Sequence, residues 1–170
     1  MPRRIYWDAC TFLGLLNQEP SKTSACQEVW DEAQNGSTWI YTSFLAFTEV
    51  FKVKCQNPGT ALSVDDDKKI EQLLGQKWIR PVIVDERIAV LARRLMRHHS
   101  ECKKPADAIH LSSALVLGVS EMHTFDKSDL LRLDGKVLKS DNKPLKICTP
   151  YALPKGVVAP PVPDIFRNNE

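Results

Sequence analysis

A three-layer α/β/α domain on a mostly parallel central sheet is the fold class this sequence predicts, and three observations carry it. Short apolar runs, too brief for buried helices, recur along the chain at Arg3 to Trp7, Trp39-Ile40-Tyr41, Trp78 to Val84, Val119 to Phe125 and Leu145 to Cys148. Between them lie longer stretches with apolar residues three and four apart, the spacing of one helix face. Strand alternating with helix is the pattern of parallel strands joined by crossovers. The 170 residues, 43% apolar and 26% charged, suffice for one domain with its own core.

The first strand is aromatic-rich and ends at Asp8. A helical pattern follows in Phe12, Leu13, Leu15 and Leu16. Ser21-Lys22-Thr23-Ser24 offers N-cap oxygens to a helix carrying Val29, Trp30 and Ala33, which Asn35-Gly36 ends. After the second strand, Ser43 is expected to cap a helix running to about Cys55, with Asn57-Pro58-Gly59 stopping it. Asp65-Asp66-Asp67 opens the next helix, with Ile70, Leu73 and Leu74, because acids favour its positive N-terminus. Pro81 confines the third strand to an edge or places it at a strand start. Asp85 starts a helix with Ile88, Leu91, Ala92, Leu95 and Met96 on one face. Pro105 sits at the first position of another, which continues to Gly118. Leu130, Leu131 and Leu133 follow the fourth strand in helical spacing, and Lys136 to Lys143 is a polar loop. From Pro150 onward, Pro154, Pro160, Pro161 and Pro163 argue for an extended tail. The domain is therefore expected over 1–149 and the tail over 150–170.

Four acids sit at the joints of these elements: Asp8, Glu49, Asp107 and Asp126. Carboxylates rarely stand beside core segments without a partner. Brought together they would repel, and the usual remedy is a hard divalent cation held by carboxylate oxygens and water. In an open parallel sheet the ligand crevice lies beyond the carboxyl ends of the strands, where Asp8 and Asp126 fall. Each acid also has a plain reading: Asp107 as a first-turn acid, Asp126 as a cap, Glu49 as a solvated helix residue.

Composition narrows the alternatives. A net charge of +2 neither demands nor excludes a nucleic-acid partner. Cys10, Cys26, Cys55, Cys102 and Cys148 are scattered, odd in number and without a Cys-x-x-Cys pair. This argues against a disulfide framework or structural zinc and for a reducing, cytoplasmic setting. No apolar run approaches the roughly 20 residues of a membrane span. Asp8 breaks what would otherwise mimic a signal peptide. There is no phosphate-binding Gly-rich loop and no nucleophile elbow. A haloacid-dehalogenase-type phosphatase would need a second Asp where Cys10 stands. His98-His99 point about 100° apart on a helix and suit no shared metal. His110 reads as a buried or supporting histidine, and Trp30, Trp39 and Trp78 as core. Arg93, Arg94 and Arg97, with Lys103 and Lys104 just ahead of Asp107, form either a solvated face or a track for an RNA backbone. Lys52 and Lys54 lie beyond Glu49.

The ordered set Trp7-Asp8, Ser43 to Glu49, Pro105-Ala106-Asp107-Ala108-Ile109-His110 and Thr124-Phe125-Asp126-Lys127-Ser128-Asp129-Leu130 resembles the PIN-domain ribonucleases. VapC-type toxins of bacterial toxin–antitoxin pairs are the closest in style, and the resemblance spans about Arg4 to Cys148. It implies a PIN-like fold and an endoribonuclease that leaves a 5′-phosphate and a 3′-hydroxyl. It also implies one or two Mg²⁺ or Mn²⁺ ions on Asp8, Glu49, Asp107 and Asp126, with Asp129 in reserve and Thr11, Ser43 and Thr124 in support. An antitoxin docked over the acidic groove and a homodimer are the implied partners. A processing nuclease without an antitoxin, or a PIN-like binding module that has lost catalysis, are the alternatives. The family's opening motif usually reads Asp, Ser or Thr, then Asn, whereas this chain has Asp8-Ala9-Cys10, leaving Thr11 to supply the missing hydroxyl.

Overall fold

The computed structural model describes residues 2–51 and 63–154. Five strands, β1 Arg3–Trp7, β2 Thr38–Ser43, β3 Ile79–Val82, β4 Glu121–His123 and β5 Lys146–Cys148, form one sheet in the order β3-β2-β1-β4-β5. Every pairing is parallel. The helices are α1 Ala9–Leu16, α2 Thr23–Gln34, α3 Leu45–Glu49, α4 Val64–Leu74, α5 Glu86–His98 and α6 Pro105–Leu117, with a 3-10 turn at Leu130–Leu133.

Successive strand residues point to opposite faces, so a parallel sheet needs a core on each side. Tyr6 and Met122 pack with Leu95 of α5, Leu111 of α6 and Leu133. Ile5, Trp7 and Ile40 pack on the other face with Phe12 of α1, Val29 of α2 and Leu74 of α4. Two cores flanking one parallel sheet make the three-layer α/β/α architecture.

From β1 the chain steps outward to β2 and β3, then returns through α5 and α6 to β4 on the other side of β1 and continues to β5. The connections thus diverge between β1 and β4, and loops beyond the carboxyl ends of these two strands leave a crevice. Asp8 follows β1 and Thr124 to Asp126 follow β4.

Local differences from the sequence expectations have physical causes. Ser43 does not cap a helix: its backbone pairs with Val82 in the sheet, and Phe44 takes the cap position without a side-chain bond. The helix ends at Glu49, not near Cys55, because Val50 leaves helical geometry and is buried on the α1 side. Cys55, Asn57-Pro58-Gly59, Lys52 and Lys54 lie outside the described residues. Lys22, not a hydroxyl residue, occupies the cap of α2; Thr23 Oγ1 instead donates to the Glu19 carbonyl at 2.8 Å. Asp65, Asp66 and Asp67 fill the first turn of α4, and Ser63 caps it. Pro81 lies in β3, an edge strand, as its missing N–H requires. Trp39 is not core: the Arg80 guanidinium lies over its ring at 4.9 Å. The start of the tail is fastened, since the Leu153 N–H donates to Glu32 at 2.6 Å and the Tyr151 ring lies beneath Arg3 and Lys146. The remainder of the tail lies outside the described residues.

Candidate active site

Asp8 serves two elements. It closes β1 and, in extended conformation, caps α1, which starts at once with Ala9. Its Oδ1 accepts from the Thr11 N–H at 3.0 Å and the Thr11 hydroxyl at 2.9 Å. Oδ2 accepts a short bond from the Thr124 hydroxyl. The Cys10 thiol lies 3.0 and 3.1 Å from the two oxygens. Burial, with the Asp8 charge beside it, pushes that thiol well above its ordinary pKa, so it stays protonated and donates. Thr11 and Cys10 thereby supply donors where the usual motif has a hydroxyl and an amide. Cys10 Sγ also accepts the Phe125 N–H at 3.2 Å, stitching the loops after β1 and β4. No sequence signal marked Cys10 for this role.

Thr124 hands the network on, because its oxygen accepts the Asp126 N–H at 3.0 Å. Asp126 Oδ1 accepts from the Ser128 hydroxyl at 2.6 Å and from the N–H groups of Ser128 and Asp129. Burial works against the Asp126 charge, yet these bonds outweigh it and hold the carboxyl below its ordinary value.

One side-chain oxygen from each of Asp107, Asp126 and Asp129 lies within 4.8 Å of the others. Asp107 comes from the first turn of α6, whose N-terminus favours an acid there. Burial, reinforced by the Asp126 charge, nonetheless pushes its carboxyl above the ordinary value, while Lys104 pulls the other way. Crowding of like charges is thus the lesser cause. Among the described residues, Asp107 Oδ2 is a buried oxygen with no hydrogen-bond partner. Its neighbour is the Lys104 ammonium at 3.5 Å, which also lies 3.4 Å from Asp126 Oδ2 and 2.8 Å from Asp129 Oδ2.

Membership of this group differs from the sequence expectation. Asp129, expected in reserve, is inside it, because the turn after β4 folds back through the Asp126 bonds. Asp8 and Glu49 stand apart from it. Asp8 is joined through Thr124. Glu49 turns from α3 toward α6, where its Oε2 accepts from His110 Nε2 at 2.6 Å. The Tyr6 hydroxyl lies 2.8 Å and the Ser43 hydroxyl 3.3 Å from Nδ1 of that buried ring. His110 is one helical turn beyond Asp107, so α6 presents both acids' anchors on one side. Lys104, expected on a basic track, is engaged with the acids, whereas Lys103 and, on α5, Arg93, Arg94 and Arg97 are exposed.

A second group, Glu121, His123 and Cys148, has metal-ligand atoms equally close. Arg3, 2.9 Å from Glu121, and Lys146, 3.3 Å from it, already neutralise this acid, and the Tyr151 hydroxyl donates to it. Burial alone would raise Glu121, but the His123 bond, the Arg3 charge and Tyr151 outweigh it and hold the carboxyl well below its ordinary value. Two fixed cations leave little place for a third, and the cluster reads as an ion-pair joint between strands.

A family model described as the PIN domain matches residues 5–136. Among solved structures, the crystal structure of Mycobacterium tuberculosis VapC20, a sarcin-ricin loop cleaving toxin, is similar at 16% identity. The match covers 72% of this chain and 90% of that one with a TM-score of 0.56, a likeness of fold. No curated protein matches.

Proposed function

The chain belongs to the PIN-domain family, and on that premise we propose that it is a metal-dependent endoribonuclease and the toxin of a toxin–antitoxin pair. The observation that carries the reading is the oxygen group of Asp107, Asp126 and Asp129 at the divergence of β1 and β4. The donor set fits a hard divalent cation: all ligands are carboxylate oxygens, and a buried Asp107 oxygen lacks a hydrogen-bond partner. Asp107, Asp126 and Asp129 would hold Mg²⁺ or Mn²⁺, with Asp8 and Glu49 as the flanking acids of one or two sites. When bound, such an ion supplies Lewis acidity to a scissile phosphate and a more acidic water.

The chain's own residues set the geometry. Thr11, Cys10 and Thr124 fix the rotamer of Asp8, the Ser128 hydroxyl and two N–H groups fix Asp126, and His110 fixes Glu49. Lys103, Arg93, Arg94 and Arg97 would meet the RNA backbone. An antitoxin covering the groove, a homodimer and a cytoplasmic setting complete the reading; among the described residues no helix is long and apolar enough to cross a membrane. The nuclease domain would span 1–149, with 150–170 an appended tail whose first residues are fastened to it.

The test is cleavage of an RNA hairpin, the sarcin-ricin loop first because the structural neighbour is named for it, by protein freed of any partner. Wild type with Mn²⁺ should cut and leave 5′-phosphate ends, and chelator should stop it. Asp126→Asn should lower the rate by about 100-fold or more with folding intact, given the usual effect of losing a metal-site group. A second reading, a PIN-like binding module without catalysis, is favoured by the occupation of both Asp8 oxygens and of the acidic group by protein donors. Equal slow cutting by wild type and Asp126→Asn would select it.

A further inference from the structure

We propose that Lys104 is an internal counter-cation of the acidic centre, and that a divalent ion must displace its ammonium to bind. The inference rests on the metal reading above and adds a residue that controls it. Lys104 Nζ contacts Oδ2 of Asp107, Asp126 and Asp129, all three members of the group. These contacts follow the oxygens that other donors leave open. Asp126 gives Oδ1 to Ser128 and Asp129 and keeps Oδ2 for Lys104. Asp107 Oδ2 is left open by every other donor. The oxygens a divalent ion would take at about 2.0–2.6 Å are thus the ones the ammonium now holds, and the two cations would compete for one volume.

Release is easy. Lys104 stands at the extended cap position ahead of α6, and its side chain is 58% exposed, so the ammonium can swing to water without opening the core. Lys103, its exposed neighbour, takes part in none of these pairs. The consequence is a threshold: the centre's negative charge is partly offset by its own lysine until free divalent ion outcompetes it. The metal-free domain avoids the repulsion of three bare carboxylates.

Calorimetric titration of Mn²⁺ into the full chain separates this from a surface ion pair. Lys104→Gln should bind Mn²⁺ about tenfold more tightly than wild type, while Lys127→Gln, with the same charge change at an exposed position beside Asp126, should stay within about twofold. In wild type, amine acylation followed by mass spectrometry should show Lys104 slow to react without metal and several-fold faster with saturating Mn²⁺, a readout that needs no variant. Equal or weaker binding by Lys104→Gln, or labelling of Lys104 indifferent to Mn²⁺, would overturn the proposal. If Asp107→Asn abolishes binding but Lys104→Gln leaves it unchanged, only the counter-cation fails. If folded wild type and Lys104→Gln both ignore Mn²⁺, the metal reading fails with it.

Discussion

Asp107 is a side chain whose ionised form the metal-free fold disfavours. Its carboxyl is held above its ordinary 3.8, by burial first and by Asp126 second. A raised acid contributes stability that is fully present below its unfolded value and is lost as pH rises through the folded one. Relative to Asp107→Asn, metal-free wild type should therefore lose melting temperature as pH rises above about 3.8, whatever the other carboxylates contribute to both proteins. Millimolar Mn²⁺ should restore the wild type and leave Asp107→Asn unchanged; identical pH and metal profiles for the two proteins would count against the site. Thr124 is the companion case, since its oxygen serves Asp8 and Asp126 together. Thr124→Val should cost about 1–3 kcal/mol in chemical denaturation by leaving a buried carboxylate short of a donor, and should slow cleavage by about 10–100-fold. At this scale the sequence was legible where type and position coincide, as in acids at strand ends and helix starts. It was silent on Cys10, whose thiol acts only because β4 brings Phe125 and Thr124 against it. It also set Lys104 on a basic track, because a run of charges does not reveal which member turns inward.

Elements whose start and stop are written in local chemistry were readable. Asp85 accepts from the Ile88 N–H at 2.9 Å to cap α5, Pro105 opens α6, and Gly118 ends it in left-handed geometry at φ 59°. Only glycine takes that conformation freely, so Gly118→Ala should lower stability by about 1 kcal/mol, measured by denaturant unfolding. Elements set by tertiary context were not readable: α3 stops because Val50 is drawn into the core, which no breaker in the local sequence announces. The joint between β1, β4, β5 and the tail was likewise invisible, because it sets Arg3 against Glu121, His123 and Tyr151, each more than 100 positions away. Glu121 there lies well below its ordinary 4.5 through His123, Arg3 and Tyr151, acting against burial. An acid lowered on folding contributes stability above its unfolded value and loses it as pH falls through the folded one. Glu121→Gln should thus cost about 3 kcal/mol at neutral pH, where it leaves Arg3 underpaired, and the difference should shrink as pH falls below about 4.5.

For the whole molecule, alternation of strand and helix was enough to give the three layers, and the position of Asp8 and Asp126 beyond strand ends was enough to point to the crevice between β1 and β4. Strand order was not legible, yet it decides which acids meet. With β1 between β2 and β4, the loops carrying Asp8 and Asp126 border one crevice, and Asp107 of α6 meets Asp126 there. Glu49 is held by His110 on α6 and is not among the grouped oxygens. The cluster at Glu121, His123 and Cys148 gives the central claim a direct internal control, because its acid is already paired with Arg3 and Lys146. Crystals of the full chain soaked in Mn²⁺ and measured at the manganese absorption edge should show an anomalous peak among the carboxylates of Asp107, Asp126 and Asp129, about 2.0–2.6 Å from their oxygens. A peak at Glu121, His123 and Cys148 instead, or none at the three aspartates under saturating Mn²⁺, would contradict the account.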